Sequence, residues 1–211
     1  MNMRVQGKLV TFEGSEGSGK STQIEMLYKY LKSKGRDVLF LREPGGVKIS
    51  ETIRNILLDV NNSEMGDECE TLLYMAARAQ LVKEVVEPQL KAGKIIICDR
   101  FLDSTVVYQG YGRGVDIKFI KLLGKFATQS ISPDLTFVFD IQAKEGLARI
   151  RREKDRIEKR DLSYHNRVRN GYLSLARQEP KRIKVIKSNQ SREEIQKIIR
   201  GYINPLLKIK D

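Results

Sequence analysis

Short apolar runs alternate with longer amphipathic segments along the chain. The short runs are rich in β-branched and aromatic side chains, as in strands that are covered on both faces of a parallel sheet. These runs occupy residues 8–13, 38–41, 95–98, 135–139 and 183–186. We therefore predict a doubly wound α/β fold, with five parallel strands and helices on both faces.

The segments between these runs carry apolar residues at helical spacing. In residues 19–34, the side chains of Ile24, Leu27, Tyr28 and Leu31 follow the i, i+3, i+4, i+7 pattern of one buried helix face. A last helix is predicted after Ser191, with Ile195, Ile198, Ile199 and Tyr202 on one face. The other predicted helices lie near 48–58, 67–92, 115–128, 143–152 and 161–178.

Local signals predict where several helices begin and end. Asp67-x-x-Glu70 and Ser191-x-x-Glu194 have the spacing of capping boxes, which satisfy free backbone N–H groups at a helix start. Gly35 and Gly93 lie where helix C-caps are expected. We find no repeats and no interdomain linker, so we expect residues 1–211 to form one domain.

The octet 14–21, Gly-Ser-Glu-Gly-Ser-Gly-Lys-Ser, fits the phosphate-loop pattern G-x-x-x-x-G-K-[ST]. Backbone N–H groups of such a loop cradle phosphate oxygens, and its glycines allow the tight wrap. Lys20 can reach the β- and γ-phosphates, and the Ser21 hydroxyl can hold Mg²⁺. The loop lies between a predicted strand and a predicted helix, whose N-terminus favours an anion. We therefore predict a nucleotide-phosphate site. The candidate ATP-binding residues are Gly14, Ser15, Glu16, Gly17, Ser18, Gly19, Lys20, Ser21 and Thr22.

The formal net charge of +12 invites a nucleic-acid interpretation. However, the basic residues are spread widely without a nucleic-acid-binding signature, and a protein that handles polyphosphates also gains from positive potential. We therefore expect small nucleotides as partners, with no nucleic acid. No apolar run approaches the ~20 residues of a membrane helix and no secretory signal is recognisable, so we expect no membrane partner. Cys69 and Cys98 fit no disulfide or metal pattern, which favours a cytoplasmic location.

A phosphate loop alone does not distinguish kinases from GTPases, motors or transporters. Charged residues at the ends of predicted strands favour a kinase, because open α/β sheets bind ligands at that edge. Arg42-Glu-Pro-Gly-Gly46 follows the second strand, although a plain Pro-Gly turn would have the same sequence. Asp99 and Arg100 end the third strand, where they can order Mg²⁺ and contact a phosphate, or form a salt bridge with each other.

Two further features leave alternatives open. Tyr74 and Arg78 share one face of the helix predicted at 67–92. This pair would suit a planar base with carbonyl edges, but on its own it fits core packing and surface charge better. Residues 149–160 are too charged for a core helix. They are either an exposed helix with i,i+4 charge pairs or a mobile lid that brings arginines over the transferred phosphate, and the phosphate loop favours the lid.

Taken together, these stretches resemble the bacterial-type branch of the thymidylate kinase (dTMP kinase) family, among the P-loop nucleoside monophosphate kinases. They occur in the family's order over nearly the whole chain. The resemblance implies transfer of the ATP γ-phosphoryl group to dTMP, giving dTDP and ADP in dTTP synthesis. It also implies Mg²⁺ as a cofactor and a homodimer. The matching stretches are Phe12–Thr22, Arg42–Gly46, Tyr74–Arg78, Asp99–Ser104, Tyr108–Gly110, Pro133–Asp134 and Asp155–Glu158.

The resemblance implies roles for individual residues. Arg54 and Arg100 would contact the acceptor phosphate, and Tyr108 would crowd the sugar 2′-position. Arg78, Thr105 and Gln109 would meet the thymine or sugar edges. The implied substrate-binding residues are Glu13, Arg42, Glu43, Pro44, Arg54, Tyr74, Arg78, Arg100, Ser104, Thr105, Tyr108 and Gln109. The implied catalytic residues are Lys20, Arg100, Arg149 and Arg152, and the implied Mg²⁺ residues are Ser21 and Asp99, partly through water.

The chain departs from the usual family pattern at several positions. Tyr74 replaces the phenylalanine that usually stacks on the base, and Phe101 stands where tyrosine or histidine is more common. The phosphate loop holds no arginine, so the resemblance places the catalytic cation in the lid. Arg149 and Arg152 are preferred there because Asp155 and Glu158 are expected to tether Arg156. His165, the only histidine, is expected to be a surface or packing residue.

Overall fold

The computed structural model describes residues 7–209. Its sheet has five parallel strands in the order β2-β3-β1-β4-β5, which confirms the predicted doubly wound architecture. In the central strand, Phe12 pairs with Asp99 of β3 and Glu13 pairs with Val138 of β4, so the ends of these strands meet at one edge. The strands are β1 Lys8–Gly14, β2 Val38–Arg42, β3 Ile95–Asp99, β4 Leu135–Asp140 and β5 Ile183–Lys187.

Nine α-helices, two of them continued by π-helical turns, surround the sheet in the part of the chain described. They are α1 Lys20–Ser33, α2 Lys48–Leu58, α3 Asp67–Leu81, α4 Glu87–Lys91, α5 Leu102–Thr105, α6 Ile117–Ala127, α7 Ala143–Ala148, α8 Leu162–Gln178 and α9 Arg192–Leu207. The π-helical turns are Val82–Val86 and Val106–Tyr111. None of these helices is long and apolar enough to cross a lipid bilayer.

The core lies on both faces of the sheet. Side chains alternate along a strand, so Val10 and Phe12 of β1 pack with Leu27 of α1 and Ile199 of α9 on one face. Leu9 faces the opposite side, in a separate apolar cluster. Burial on both faces explains why the strands are continuous apolar runs rather than alternating ones.

Some predicted helix ends are confirmed and others are wrong. Ser191 and Glu194 form the predicted capping box of α9, and Gly35 and Gly93 adopt positive φ just beyond α1 and α4. The box predicted at Asp67 is absent: Gly66 is the N-cap of α3 and no side chain caps it. The second residue of that predicted box, Glu70, is instead fully buried in an ionic network described below.

Three helical predictions need correction. The helix predicted at 143–152 ends at Ala148, so residues 149–160, hereafter the lid segment, form turns and irregular backbone between α7 and α8. The helical segment of α5 and its π-helical turn was not predicted, because Gly and polar residues interrupt its periodicity. In α9, Ile198 and Tyr202 are exposed while Ile203 is buried, because the face against the sheet follows Ile195, Ile199 and Ile203.

Candidate active site

The phosphate loop connects β1 directly to α1. Gly17 has φ +66°, and a Cβ atom there would lie 2.1 Å from the carbonyl oxygen of Gly146 in α7. Only glycine fits such a close approach of two backbones. Lys20, the first residue of α1, folds back over the loop, and its Nζ donates to the carbonyl oxygens of Gly14 and Ser15 at 3.0 Å each. The loop therefore lies between a strand and a helix, as the sequence pattern predicts, with the Lys20 side chain over it.

Charged groups in the loop have perturbed pKa values. Burial, followed by the positive charge of Arg100, lowers the pKa of Lys20 from 10.5 to about 8. Burial acts to raise the pKa of Glu16, but neighbouring His165 and the charges of Arg100 and Lys20 hold it well below its usual range. The charges of Asp99, Glu16 and Glu13 oppose this shift without cancelling it, and a phosphate beside Lys20 would favour the charged ammonium group further.

Glu16 connects the phosphate loop to the end of β3. Its Oε1 accepts hydrogen bonds from Arg100 at 3.0 Å and from the Tyr108 hydroxyl at 2.5 Å. The Arg100 guanidinium also lies 4.9 Å from the centre of the Tyr108 ring. Arg100 has φ +71°, a backbone conformation that costs a non-glycine residue about 1–3 kcal/mol and occurs most often at functional sites.

A cavity of about 170 Å³ opens between the sheet edge and the helices α2 and α3. Tyr74 is half-buried in its wall, and its hydroxyl makes no hydrogen bond to the described residues. Arg54 reaches the cavity while donating to the Pro44 carbonyl at 2.8 Å. The walls comprise Glu16, Glu43, Pro44, Arg54, Leu58, Tyr74, Arg100, Ser104, Thr105, Tyr108, Gln109, Arg152, Asp155, Ile157 and Glu158. We call this space the acceptor cavity.

A second cavity, of about 360 Å³, lies over the phosphate loop and is called the donor cavity. Its walls come from the phosphate loop, the end of β3 and the first residues of the lid segment. Glu16, Arg100, Arg152 and Glu158 line both cavities, which are therefore adjacent. The donor cavity is lined by Glu16, Gly17, Lys20, Ser21, Asp99, Arg100, Arg149, Ile150, Arg151, Arg152 and Glu158.

Three residues that the sequence analysis assigns to acceptor binding, Glu13, Arg42 and Arg78, do not line the acceptor cavity. Glu13 is fully buried, and its carboxylate accepts from the Phe101 backbone N–H at 2.7 Å and from the Tyr172 hydroxyl at 2.8 Å. Burial and the charge of Asp103 raise the pKa of Glu13 to about 7. Arg42 is exposed and forms an ion pair with Glu51 at 2.9 Å.

Arg78 lies behind the wall of the acceptor cavity. Its buried guanidinium donates to Glu43 at 2.7 Å, to the Thr105 hydroxyl at 3.0 Å and to the Phe101 carbonyl at 3.0 Å. Two of these partners, Glu43 and Thr105, do line the cavity. Phe101, whose role the sequence left open, is buried and provides backbone contacts to both Glu13 and Arg78.

The lid segment holds its arginines differently from the prediction. Glu158 binds Arg152 through two contacts of 2.7 and 2.8 Å, whereas Arg156 contacts buried Glu70 at 2.5 Å. The expectation that Asp155 and Glu158 tether Arg156 is therefore wrong, because the Asp155 carboxylate accepts from backbone N–H groups instead. Arg149 donates to the Gly17 carbonyl at 3.3 Å, so it reaches the phosphate loop. The Arg152 side chain is 63% exposed, so it has room to move.

Two functional candidates were missed by the sequence analysis. His165 is buried, as a packing residue would be, but its Nδ1 lies 3.7 Å from Glu16 Oε2, beside the phosphate loop. Glu70 contacts residues of both the lid segment and the acceptor cavity. No sequence signal distinguishes either residue, because their partners come from distant parts of the chain.

The donor cavity has groups that fit Mg²⁺. Asp99 presents a buried Oδ1 without a hydrogen-bond partner among the described residues, and the Ser21 hydroxyl lines the same space. Mg²⁺ prefers oxygen ligands and is often held by one carboxylate together with substrate phosphates and water. In the described part of the chain, no cluster of three His, Cys, Asp or Glu residues could form an all-protein metal site. The donor set therefore fits an ion that is bound together with a nucleotide.

Comparisons with known proteins agree with this geometry. The family model described as thymidylate kinase matches residues 12–199. The chain is 45% identical to a thymidylate kinase of Roseiflexus castenholzii, covering 94% of this chain and 93% of the relative. It is 48% identical to a thymidylate kinase of Halothermothrix orenii, covering 92% and 95%.

A solved structure supports the same relationship. The thymidylate kinase of Ehrlichia chaffeensis is 31% identical and superposes with a TM-score of 0.78, covering 93% of this chain and 98% of that one. Family match, relatives and fold thus agree over most of the sequence. The chain belongs to the thymidylate kinase family, whose enzymes are phosphotransferases that use ATP as the phosphoryl donor and dTMP as the acceptor.

Proposed function

We propose that the acceptor and donor cavities are the dTMP and ATP halves of one phosphoryl-transfer site. The observation that carries this proposal is their common wall of Glu16, Arg100, Arg152 and Glu158. Two phosphate groups that enter from opposite sides would meet beside two guanidinium groups. Transfer requires positioning and charge neutralisation more than covalent participation by the protein. Arg100 and Arg152 are paired with Glu16 and Glu158, so each would neutralise a phosphate by exchanging its carboxylate partner for that phosphate.

In the donor half, the loop amides and the N-terminus of α1 bind the ATP phosphates. Lys20 bridges the β- and γ-phosphates, giving up its bonds to the Gly14 and Ser15 carbonyls. Ser21 and Asp99 would hold Mg²⁺, which would supply positive charge beside the phosphate oxygens.

In the acceptor half, Arg54 and Arg100 bind the dTMP phosphate. Tyr74 stacks on the base, and Gln109 contacts the base edge. Tyr108 fills the space beside the sugar, where its hydroxyl is held by Glu16 at 2.5 Å. Arg78 acts from behind this surface, by holding Glu43 and Thr105 in the cavity wall. These positions support an acceptor that is both planar and anionic.

The transition-state cation comes from the lid segment. The acceptor is already a phosphate oxyanion, so no general base is required. Arg152 lines both cavities and Arg149 touches the phosphate loop, so a small closing movement brings either guanidinium onto the transferred group. Closure also excludes water, which suppresses hydrolysis of ATP.

We also propose that two copies of the chain associate through α3 and α6. These helices pack together, and their outer faces expose Leu72, Phe119, Leu122 and Phe126, the last with 83% of its surface accessible. Large apolar side chains exposed on two packed helices are typical of an interaction site. Size-exclusion chromatography with light scattering tests this: Phe126→Lys should give a monomer, and a monomeric wild-type protein would contradict the proposal.

The kinase site uses residues from most of the sequence, which supports one domain over residues 1–211 with a lid at 149–160. Cys69 and Cys98 are free thiols, which supports a reducing, cytoplasmic environment.

A coupled assay of ADP release tests the assignment of the site. The wild-type enzyme should turn over dTMP in preference to dCMP, dGMP and dAMP, and an oligonucleotide should not stimulate ATP hydrolysis. Preference for another monophosphate would identify a different nucleotide kinase. Stimulation by the oligonucleotide, without transfer to any monophosphate, would identify a nucleic-acid-dependent ATPase instead.

A further inference from the structure

Glu70 is a fully buried carboxylate that the proposed transfer does not use. Its Oε2 lies 2.5 Å from Arg156 and 2.6 Å from Arg160, both at the end of the lid segment. Its Oε1 accepts a 2.8 Å hydrogen bond from Nε2 of Gln109, in the wall of the acceptor cavity. Burying a charge is expensive unless it is paired, so two guanidinium groups around one carboxylate explain how Glu70 is tolerated.

The Glu70 carboxylate fixes which way the Gln109 amide points. A carboxylate between two guanidinium groups only accepts hydrogen bonds, so the NH₂ of Gln109 must face it. The Gln109 side chain is almost fully buried, and its Oε1 makes no hydrogen bond to the described residues. Since Gln109 lines the acceptor cavity, Oε1 is the group that it offers to a ligand. The cavity therefore presents the amide oxygen at this position, while the amide nitrogen is held by Glu70.

We infer that Glu70 is a positioning residue that sets base specificity by holding Gln109 as an acceptor. The inference rests on the proposed acceptor site. Thymine and uracil carry a ring N–H between two carbonyl groups, whereas cytosine has an unprotonated ring nitrogen at that position. An amide oxygen pairs with the N–H but opposes the cytosine nitrogen. A rotated amide would present NH₂ and reverse this preference.

The lid segment keeps the carboxylate itself from rotating. Arg156 also donates through Nε to the Leu57 carbonyl at 2.9 Å, which anchors it to the end of α2. Arg160 lies over the Tyr164 ring at 4.7 Å, at the start of α8. Glu70 is therefore held by two arginines that are themselves fixed, and its second oxygen stays directed at Gln109.

The test compares kcat/KM for dTMP, dUMP and dCMP in matched variants. Glu70→Gln provides an amide that can donate or accept, so Gln109 is free to rotate. The ratio of kcat/KM for dTMP over dCMP should fall about two- to tenfold, the effect of one hydrogen bond between neutral groups. The ratio of dTMP to dUMP should not change, because both bases carry the N–H. Glu68→Gln, an exposed neighbour on α3, is the control and should keep both ratios.

A double-mutant comparison separates this role from a merely structural one. In a Gln109→Met background, which has no amide to orient, Glu70→Gln should leave the dTMP to dCMP ratio unchanged. An equal loss of kcat/KM for all three acceptors in Glu70→Gln, or the same ratio change without Gln109, would overturn the inference. If Gln109→Met alters no acceptor KM, the proposed base site itself is wrong. Should Glu70→Gln fail to fold, Glu70→Asp retains the charge but withdraws it from Gln109. An unchanged ratio in that variant overturns the inference as well.

Discussion

Replacing Lys20 with methionine should slow phosphoryl transfer by about 100–1000-fold and at the same time stabilise the nucleotide-free protein. Burial lowers the pKa of Lys20 from 10.5 to about 8, which corresponds to about 3 kcal/mol against the charged side chain. Methionine has a similar length and no charge to desolvate, but it cannot donate to the Gly14 and Ser15 carbonyls, which offsets about 1–2 kcal/mol of the gain. For a chain of this size, the remaining gain of about 1–2 kcal/mol corresponds to a rise in Tm of about 2–8 °C.

The pH dependence of this gain follows from the direction of the pKa shift. Below pH 8, Lys20 is protonated in both the folded and unfolded states, so the full penalty is present. Between pH 8 and 10.5, the folded protein loses the proton first, and the penalty disappears. The difference in unfolding free energy between Lys20→Met and wild type should therefore be largest at pH 7 and less than about 1 kcal/mol at pH 10.

Thermal unfolding by circular dichroism at pH 7 and pH 10, without nucleotide, measures this difference. Lys29→Met is a matched control, because Lys29 is an exposed residue of the same helix in an i,i+4 ion pair with Glu25. It should shift stability by no more than about 0.5 kcal/mol. Transfer by Lys20→Met should fall by about 100–1000-fold, since a contact to the transferred phosphate is lost. A Lys20→Met protein that is less stable than wild type at pH 7, or that retains turnover within tenfold, would refute the reasoning.

Three further predictions concern the same site. Arg152→Ala, or Arg149→Ala if the register differs, should cut kcat by about 10³-fold or more with little change in either KM, and near-parental kcat in both would remove the lid segment from catalysis. Arg78→Ala should raise the KM for dTMP more than that for ATP and lower Tm, because Glu43 is left buried without its partner; equal changes in both KM values would contradict its assignment to the acceptor wall. Asp99→Asn should raise the Mg²⁺ concentration needed for half-maximal rate, which a magnesium titration measures, and an unchanged requirement would exclude Asp99 as a metal-site residue.

The sheet was predictable because its strands are short runs that are apolar on both faces, which is typical of a parallel sheet covered by helices. The phosphate loop was equally clear, since its glycines have a local backbone reason to be there. The residues that line the acceptor cavity were harder to predict from the sequence, because a position at the end of a strand does not show which way its side chain points. Glu13 is the example: one position before the loop, it turns into the core rather than toward the cavity.

The ionic network around Glu70 could not be predicted from the sequence. Its spacing from Asp67 resembles a capping box, and the partners that compete for its carboxylate lie far away along the chain. The same limitation misassigned Glu158, which binds Arg152 instead of Arg156. Charge pairs in an irregular segment depend on where the backbone turns, and no periodicity encodes that.

The contact between Gly17 and Gly146 joins the phosphate loop to the helix from which the lid segment starts. Neither position has room for a side chain. A Cβ atom at Gly146 would lie 2.4 Å from the Glu16 carbonyl oxygen, and a Cβ atom at Gly17 would collide with the Gly146 carbonyl oxygen. With Arg149 also donating to the Gly17 carbonyl, the loop and the base of the lid form one mechanical unit. A side chain added at either glycine is therefore expected to displace the phosphate loop and the start of the lid segment together.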